Sequence, residues 1–386
     1  MVAALALVAF LSACRRAVPG QERELQSLLQ TLRDQVAAPG ALLGVRTAEG
    51  FRAVASGHAD RAEGRRMAPD APYFLGSITK TYTAVTVLRL AEERRLSLDD
   101  TLDCFLPSFP GGDAITVRQL LGHTSGLKDF YMYLYFRPDP KEMIDLVTRA
   151  WSQEELLDLS HRFGRSFEPG TDWAYSSTNY FLLGMIIERA SGLSLPAAYR
   201  RYIDRPLGIT QTWLACHEEG REDLPTGYLG PVEGWKHSVM FGELGATTIL
   251  DRSPVEWGAG GLVTTTDEAT RFLSGLFAGE LLTTGSLEAM TKFRSTPPLG
   301  VDDGNPTPEA PDGYGLGLVR MKRAGFTLIG HGGLFTGHTA GLWHIPECGV
   351  TIALYFNRGF VNQRALLDQI LPVVTRRPDG STRCGR

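Results

Sequence analysis

Ser77-Ile-Thr-Lys-Thr-Tyr-Thr-Ala-Val-Thr-Val-Leu-Arg-Leu-Ala91 is the stretch on which the reading of the fold turns. Ile78, Tyr82, Val85, Leu88 and Ala91 recur at the spacing of one helical face, which predicts a helix from Ser77 to about Arg95. Its β-branched Thr and Val residues lower intrinsic propensity, so packing has to hold it, as in a central buried helix. Ser77 and Lys80 then stand one turn apart on one face. A hydroxyl placed there sits at a helix N-terminus, where backbone donors and the dipole favour developing negative charge. A second Ser-x-x-Lys, Ser125-Gly-Leu-Lys128, lacks this setting: it contains Gly126, follows Gly122 and runs into an aromatic segment. Only six of the 39 basic residues are Lys, so a motif that demands one is less easily met by chance. Taken alone, the first match is still open to a plain helix-cap reading.

Outward from this helix, residues 22–36 carry apolar positions at helical spacing, and 41–57 read as two strands around the turn Ala48-Glu49-Gly50. Thr116 is placed to cap a short helix ending near Gly122, and Ser152-Gln-Glu-Glu155 has the form of a capping box. Residues 179–190 form an apolar helix stopped by Gly192, and Thr265-Thr-Asp-Glu268 is a second capping box, opening a helix towards Gly279. Residues 216–258 are irregular, and the Pro-rich segment 296–312 reads as a surface loop. Segments 314–320, 326–330, 339–344 and 350–356 then read as consecutive strands, followed by a helix near 361–373. Strands near both ends with helices between imply an α+β fold, a mainly antiparallel sheet flanked by helices plus a helical lobe. The expected division is 1–20 as signal and tether, 21–76 with 245–386 as the sheet domain and 77–244 as the helical lobe. The active site is expected between the last two.

Further along lie Phe167-Glu-Pro-Gly170, then Tyr175-Ser-Ser177, and near the end Gly330-His331-Gly332-Gly333. Ser-x-x-Lys, then Tyr-x-Asn, then Lys/His-x-Gly is the ordered signature of the penicillin-recognising serine hydrolases. The sequence resembles the branch holding class C β-lactamases, D-Ala-D-Ala carboxypeptidases and related esterases. Gly44-Val45 with Gly57-His-Ala-Asp60, Leu120-Leu-Gly-His-Thr-Ser-Gly126, Ala259-Gly-Gly-Leu262 and Tyr314-Gly-Leu-Gly317 look like segments of that family in the expected order. The likeness covers nearly all of the chain after residue 40.

The resemblance implies a DD-peptidase/β-lactamase-like fold and a Ser77 acyl-enzyme. A serine hydroxyl needs a neighbouring group to take its proton, and by resemblance Lys80 and Tyr175 share that task. Tyr titrates near 10 in water, so it acts as a base only beside cations; Lys80 is one, and His331 is a candidate second. The backbone N–H groups of Ser77 and Leu334 are expected to form the oxyanion hole, with Ser177, His331, Gly332 and Gly333 at the substrate. Two departures stand out. Ser177 replaces the Asn of Tyr-x-Asn, and Gly332 replaces the usual hydroxyl residue between His and Gly, removing one donor for a substrate carboxylate. Both weaken the case for an efficient β-lactamase and leave esters or D-Ala-D-Ala-type peptides open, an esterase or carboxypeptidase being favoured; Asn179 stands near enough to complicate the first inference. Bland alternatives remain for each residue: Tyr175 as a core aromatic, His331 as a satisfied strand-end histidine, and the two glycines as relief from crowding against a helix. His123 reads as loop support, and Tyr131, Tyr133, Tyr135 and Phe136 as cleft lining or an aromatic core patch.

The first residues, Met1 to Cys14, hold an apolar run far shorter than the roughly 20 residues of a spanning helix. Leu11-Ser12-Ala13-Cys14 resembles a bacterial lipobox, which implies lipidation at Cys14 and a membrane-anchored, extracytoplasmic (periplasmic-side) protein. No Lys or Arg precedes the run, a departure that keeps an ordinary cleaved signal peptide or a buried segment open. An oxidising compartment would allow Cys104, Cys216, Cys348 and Cys384 three pairings, though small buried hydrophobes with one bridge is the plainer expectation. A net charge of −4 without a basic run argues against nucleic acid as a partner. No C-x-x-C, no His-Glu-x-x-His and no Gly-x-Ser-x-Gly occurs, so no metal or other cofactor is expected and a lipase-type hydrolase is disfavoured. The rival to an enzyme acting on a small molecule or peptidoglycan peptide is a penicillin-fold module that binds or senses the cell wall without turnover.

Overall fold

The structure, a computed structural model, describes residues 19–131, 149, 151–228, 257–296, 312–335, 337–377 and 379–384. Cys14, Tyr133, Tyr135, Phe136, residues 229–256 and the Pro-rich segment 297–311 lie outside the described residues.

The main sheet joins the two ends of the chain. β1 (Gly40–Thr47) and β2 (Gly50–Asp60) form the expected hairpin, Thr47 facing Gly50 across the turn. β1 pairs on its other side with β11 (Val350–Phe356), Leu43 opposite Leu354. The remaining strands are β3 (Arg65–Arg66), β7 (Gly313–Tyr314), β8 (Val319–Arg323), β9 (Phe326–Phe335) and β10 (His338–Ile345), in the eight-stranded order β3-β2-β1-β11-β10-β9-β8-β7. Every pairing in it is antiparallel. β4 (Tyr73–Phe74), β5 (Trp213–Leu214) and β6 (Leu262–Thr264) make a small second sheet.

Both faces of the main sheet are covered, which is why β10 and β11 are buried throughout and read as continuous apolar runs. On one face, Leu43, Val45, Leu328, Trp343, Ile352 and Leu354 pack with Leu29 and Leu32 of α1 (Pro19–Gln35) and with Leu367 and Ile370 of the C-terminal helix Gln363–Val374. On the other, Leu42, Ile329, Ala340, Leu342, Ala353 and Tyr355 join the larger core. That core contains α2 (Thr79–Glu92), the helix Ser177–Ser191 and the helix Thr266–Phe277. In α2, residues 79–88 and Leu90 are all buried, as expected of a central helix that packing must hold. No single helix among the described residues is long and apolar enough to cross a membrane.

Three expectations need correction. Residues 314–320 were expected as one strand; instead Gly317, at φ +77, turns the chain against α2, where a Cβ would lie 2.6 Å from that of Ala84, and the strand proper begins at Val319. Thr265 accepts from the Glu268 N–H, but Glu268 does not reach back to complete a capping box. Its carboxylate is drawn instead to the N–H groups of Thr210 (2.6 Å) and Gln211 (2.8 Å). Finally, Cys104 and Cys216 are exposed rather than buried, while Cys348 and Cys384 form a disulfide tying the C-terminal segment to the β10–β11 turn.

Candidate active site

Ser77 occupies a 3₁₀ turn, Gly76–Ile78, that runs directly into α2. In such a turn residues i and i+3 eclipse one another, which sets Lys80 under Ser77. The ammonium of Lys80 donates to Ser77 Oγ at 3.0 Å and to the Ala259 carbonyl at 2.8 Å, and the side chain is almost wholly buried. Ala259 was noticed in the sequence only as part of Ala-Gly-Gly-Leu; its role as the second acceptor for Lys80 appears in the fold. That segment is pinned to α2 on both sides, Thr83 Oγ1 donating to the Gly258 carbonyl (2.6 Å) and Leu262 N–H to Thr79 Oγ1 (3.2 Å).

Tyr175 reaches the same place from the loop before the helix Ser177–Ser191. Its neighbours are fixed to His123: Ala174 N–H donates to the His123 carbonyl and Ser176 N–H to His123 Nδ1, both at 3.1 Å. Lys80 Nζ lies 5.1 Å from the Tyr175 ring centroid, a cation–π distance. The rings of His123, Tyr314 and His331 surround Tyr175 with centroids at 4.4, 6.1 and 6.1 Å. Tyr175 is therefore a half-buried residue of the site.

β9 brings the third motif. Ile329, His331 and Gly333 alternate onto the face that carries α2, while Leu328, Gly330 and Gly332 face α1 and the C-terminal helix. A Cβ on Gly333 would lie 1.8 Å from the Leu75 carbonyl oxygen, and one on Gly76 within 2.6–2.9 Å of the backbone of Leu334. The backbones of residues 75–76 and 333–334 are thus in direct contact. Beyond Gly330 the outer edge of β9 has no strand partner among the described residues.

Gly332 points elsewhere. Its missing side chain would meet Gln363 Nε2 at 3.0 Å, on the opposite side of the sheet from Ser77. A side chain at 332 would thus start on the Gln363 side of the sheet, which weakens the inference that Gly332 marks a lost carboxylate donor. Burial pushes the His331 pKa down to about 3, against the hydrogen bond to the Gly332 carbonyl and with the charge of Lys80 adding to the shift, which disfavours His331 as a second cation. Lys80 remains the cation in contact with the Tyr175 ring.

Ser177 is buried at the start of its helix, its N–H donating to Asp129 Oδ2 at 2.9 Å. Burial raises the Asp129 pKa, against the hydrogen bonds from Ser177 and Tyr131 and the charge of Lys80. Nothing in the sequence motif had singled out Asp129. Asn179 does not stand in for the missing amide: it is fully buried, accepting from Ser125 Oγ (2.6 Å) and bonded through Nδ2 to His123 Nδ1 (3.0 Å). Ser125 is likewise committed, accepting from Leu127 N–H, and Lys128 is exposed, so the second Ser-x-x-Lys is a turn and not a site.

Residues 25–373 match the family model described as Beta-lactamase. Penicillin-binding protein 4* of Bacillus subtilis (strain 168) is 28% identical over 274 residues, covering 70% of this chain and 59% of that protein. Esterase EstB of Burkholderia gladioli is 33% identical over 206 residues, covering 51% of this chain and 52% of that protein. The chain thus spans little more than half the length of these curated relatives. Among solved structures, D-amino acid amidase from Ochrobactrum anthropi SV3, complexed with L-phenylalanine amide, is similar with a TM-score of 0.76 at 25% identity, covering 92% of this chain and 98% of that one.

Proposed function

We propose, from the premise that the chain belongs to the beta-lactamase family of serine hydrolases, that it cleaves an ester or a D-amino-acid-type amide through an acyl-enzyme on Ser77. The observation that carries this reading is the 3.0 Å contact between Lys80 Nζ and Ser77 Oγ, beside the Tyr175 ring. Ser77 Oγ attacks the substrate carbonyl carbon as its proton passes to the Lys80–Tyr175 pair, which is one coupled unit rather than two independent bases. The oxyanion of the tetrahedral intermediate is met by the N–H groups of Ser77 and Leu334. Collapse expels the alcohol or amine, which takes the proton back, and water repeats the sequence in reverse roles to free the acid and Ser77.

Esters are the favoured substrates, because Ser177 supplies no side-chain amide to orient a substrate amide. Relatives named as an esterase and as an amidase keep both classes in view. The protein's place is extracytoplasmic in this reading, held at the membrane by a lipid on Cys14. The disulfide Cys348–Cys384 supports an oxidising compartment.

Labelling with a fluorescent serine-directed phosphonate tests the core of the reading. Ser77→Ala is expected to abolish labelling, and Ser125→Ala to retain it. Labelling that survives in Ser77→Ala refutes the acyl-enzyme. Labelling at Ser77 without turnover of any short-chain aryl ester, cephalosporin or D-Ala-D-Ala peptide points instead to a module that binds without turnover. Accumulation of precursor under globomycin, with release from membranes in Cys14→Ser, tests the anchor separately.

A further inference from the structure

Behind Tyr175 runs a buried polar path whose proton positions follow from its partners. His123 is fully enclosed and sits at φ +58, a left-handed backbone that costs a bulky residue and persists only where the surroundings impose it. Its Nδ1 accepts the Ser176 N–H (3.1 Å) and faces the Asn179 amide Nδ2 (3.0 Å), so that nitrogen carries a lone pair. In a neutral ring the proton is then on Nε2, which meets Tyr314 Oη at 3.1 Å. On the far side, Tyr314 Oη lies 3.4 Å from His331 Nε2. His331 Nδ1 is 2.6 Å from the Gly332 carbonyl oxygen, which can only accept, so here the proton is on Nδ1. The two imidazoles hold opposite tautomers, with one tyrosine hydroxyl accepting from the first and facing the lone pair of the second. Tyr180 gives its own proton to the Leu121 carbonyl at 2.8 Å and, in hydrogen-bond contact with Tyr314, competes with His331 as acceptor for the Tyr314 proton; of the two, an imidazole nitrogen is the stronger acceptor.

We propose that Tyr314 and His123 are positioning residues: the directed path Ser176 N–H, His123, Tyr314, His331, Gly332 carbonyl fixes His331 as its neutral Nδ1–H tautomer and holds the Tyr175 ring against Lys80. The proposal rests on the reading of Tyr175 as partner of Lys80. Burial lowers both histidines' pKa values, and Lys80 adds to the effect, in keeping with two neutral rings. The bond from His331 Nδ1 to its own strand also stiffens β9 beside Gly333, the residue in contact with the Ser77 turn.

Nitrogen-15 NMR of histidine-labelled protein reads the tautomers without any variant. At pH 7, His123 is expected as Nε2–H and His331 as Nδ1–H. Tyr314→Phe keeps the ring packing and removes only the hydroxyl. It is expected to leave His331 as Nδ1–H, which the Gly332 carbonyl holds, to shift the Nε2 resonances of both histidines as they lose their hydroxyl partner, and to lower kcat on an aryl ester about tenfold, the size of one buried hydrogen bond, with KM nearly unchanged. A charged or Nε2–H His331 in the wild type overturns the proposal. So does a Tyr314→Phe enzyme with unchanged kcat, or one whose loss appears only in melting temperature. Phosphonate labelling of Ser77→Ala is independent of these signals, so failure of the acyl-enzyme and failure of the positioning path are told apart.

Discussion

The backbone of Gly333 rests so closely on the Leu75 carbonyl that a Cβ added there would lie 1.8 Å from its oxygen. Both flanks of the Ser77 turn are therefore set by glycine: Gly333 lets β9 approach, and Gly76 at φ +53 lets the chain turn beneath it.

This contact predicts the behaviour of Gly333→Ala. The methyl group meets backbone on a rigid turn, with no flexible side-chain end to yield, so β9 has to move away from Ser77. Stability is expected to fall by about 1–3 kcal/mol, as for overpacking elsewhere. A displacement near 1 Å at the site is expected to lower kcat/KM about a hundredfold. Parallel thermal melts and ester kinetics check it. Gly332→Ala, which faces Gln363 on the other side of the sheet, is expected to spare most of the activity.

A pH effect on stability follows from the buried histidines. His123 is held well below its ordinary pKa, His331 and His338 are pushed to about 3, and His344 to about 4, burial being the leading cause in each case. The unfolded chain takes up these protons near pH 6.5, whereas the folded protein does not. Their contribution is full above about pH 6.5 and is lost as pH falls, by about 1.4 kcal/mol per unit for each histidine. Asp204 acts in the opposite sense: burial and Glu268 raise it to about 7, so the folded state keeps a proton that the unfolded chain releases, and acid favours it. His217 is also lowered by burial and Asp129 is also raised by it, so five histidines stand against two carboxyl groups and give a net loss. Urea midpoints are expected to drop between pH 7 and pH 5; a flat or rising midpoint would show that the histidines are not held neutral.

Much of this was legible in the sequence, for local reasons. The helix pattern after Ser77, the Ala48-Glu49-Gly50 hairpin and the caps at Thr116 and Ser152 depend on near neighbours, and each is where the spacing put it. The ordered motifs likewise led to residues that meet at Lys80. Harder to read was anything set by which side of a strand a residue takes. Gly332 sits between two site residues in sequence and faces the opposite way in space, since its register follows from the packing of β9 on β10. Asp129 and the Ala259 carbonyl had no motif because their roles depend on segments distant in the chain, and the charge of His331 was misjudged because burial cannot be read from its strand alone.

The C-terminal disulfide gives a third prediction. Cys348 and Cys384 are 36 residues apart, and the loop between them contains β11 and the C-terminal helix that packs on the sheet. Closing a loop of that length in the unfolded chain is worth about 2–4 kcal/mol. Reduction, or Cys348→Ser with Cys384→Ser, is expected to lower stability by that amount and to leave kcat on an ester nearly unchanged, because the bridge lies at the β10–β11 turn, away from Ser77. Chemical denaturation with and without reductant measures the first, and initial rates the second.

In the proposed reading, substrate choice depends most directly on Ser177. An amide needs its N–H and C=O held while the poor amine leaving group is protonated. In the Tyr-x-Asn pattern that this chain resembles, the third residue offers a side-chain amide for that task. Here Ser177 is buried, with its N–H given to Asp129, and the neighbouring Asn179 is committed to Ser125 and His123. One missing hydrogen bond of about 0.5–1.5 kcal/mol corresponds to roughly tenfold in rate. Because a side chain at 332 would start on the Gln363 side of the sheet, Ser177 is the departure that bears more directly on that loss. Esters suffer less, since their leaving group needs less assistance. Wild-type kcat/KM is therefore expected to be higher for a short-chain aryl ester than for a chromogenic cephalosporin. Ser177→Asn is expected to raise the cephalosporin value about tenfold with little change for the ester, while Gly332→Ser raises neither. Faster cephalosporin turnover by the wild type, with no gain from Ser177→Asn, would remove Ser177 from any part in substrate choice.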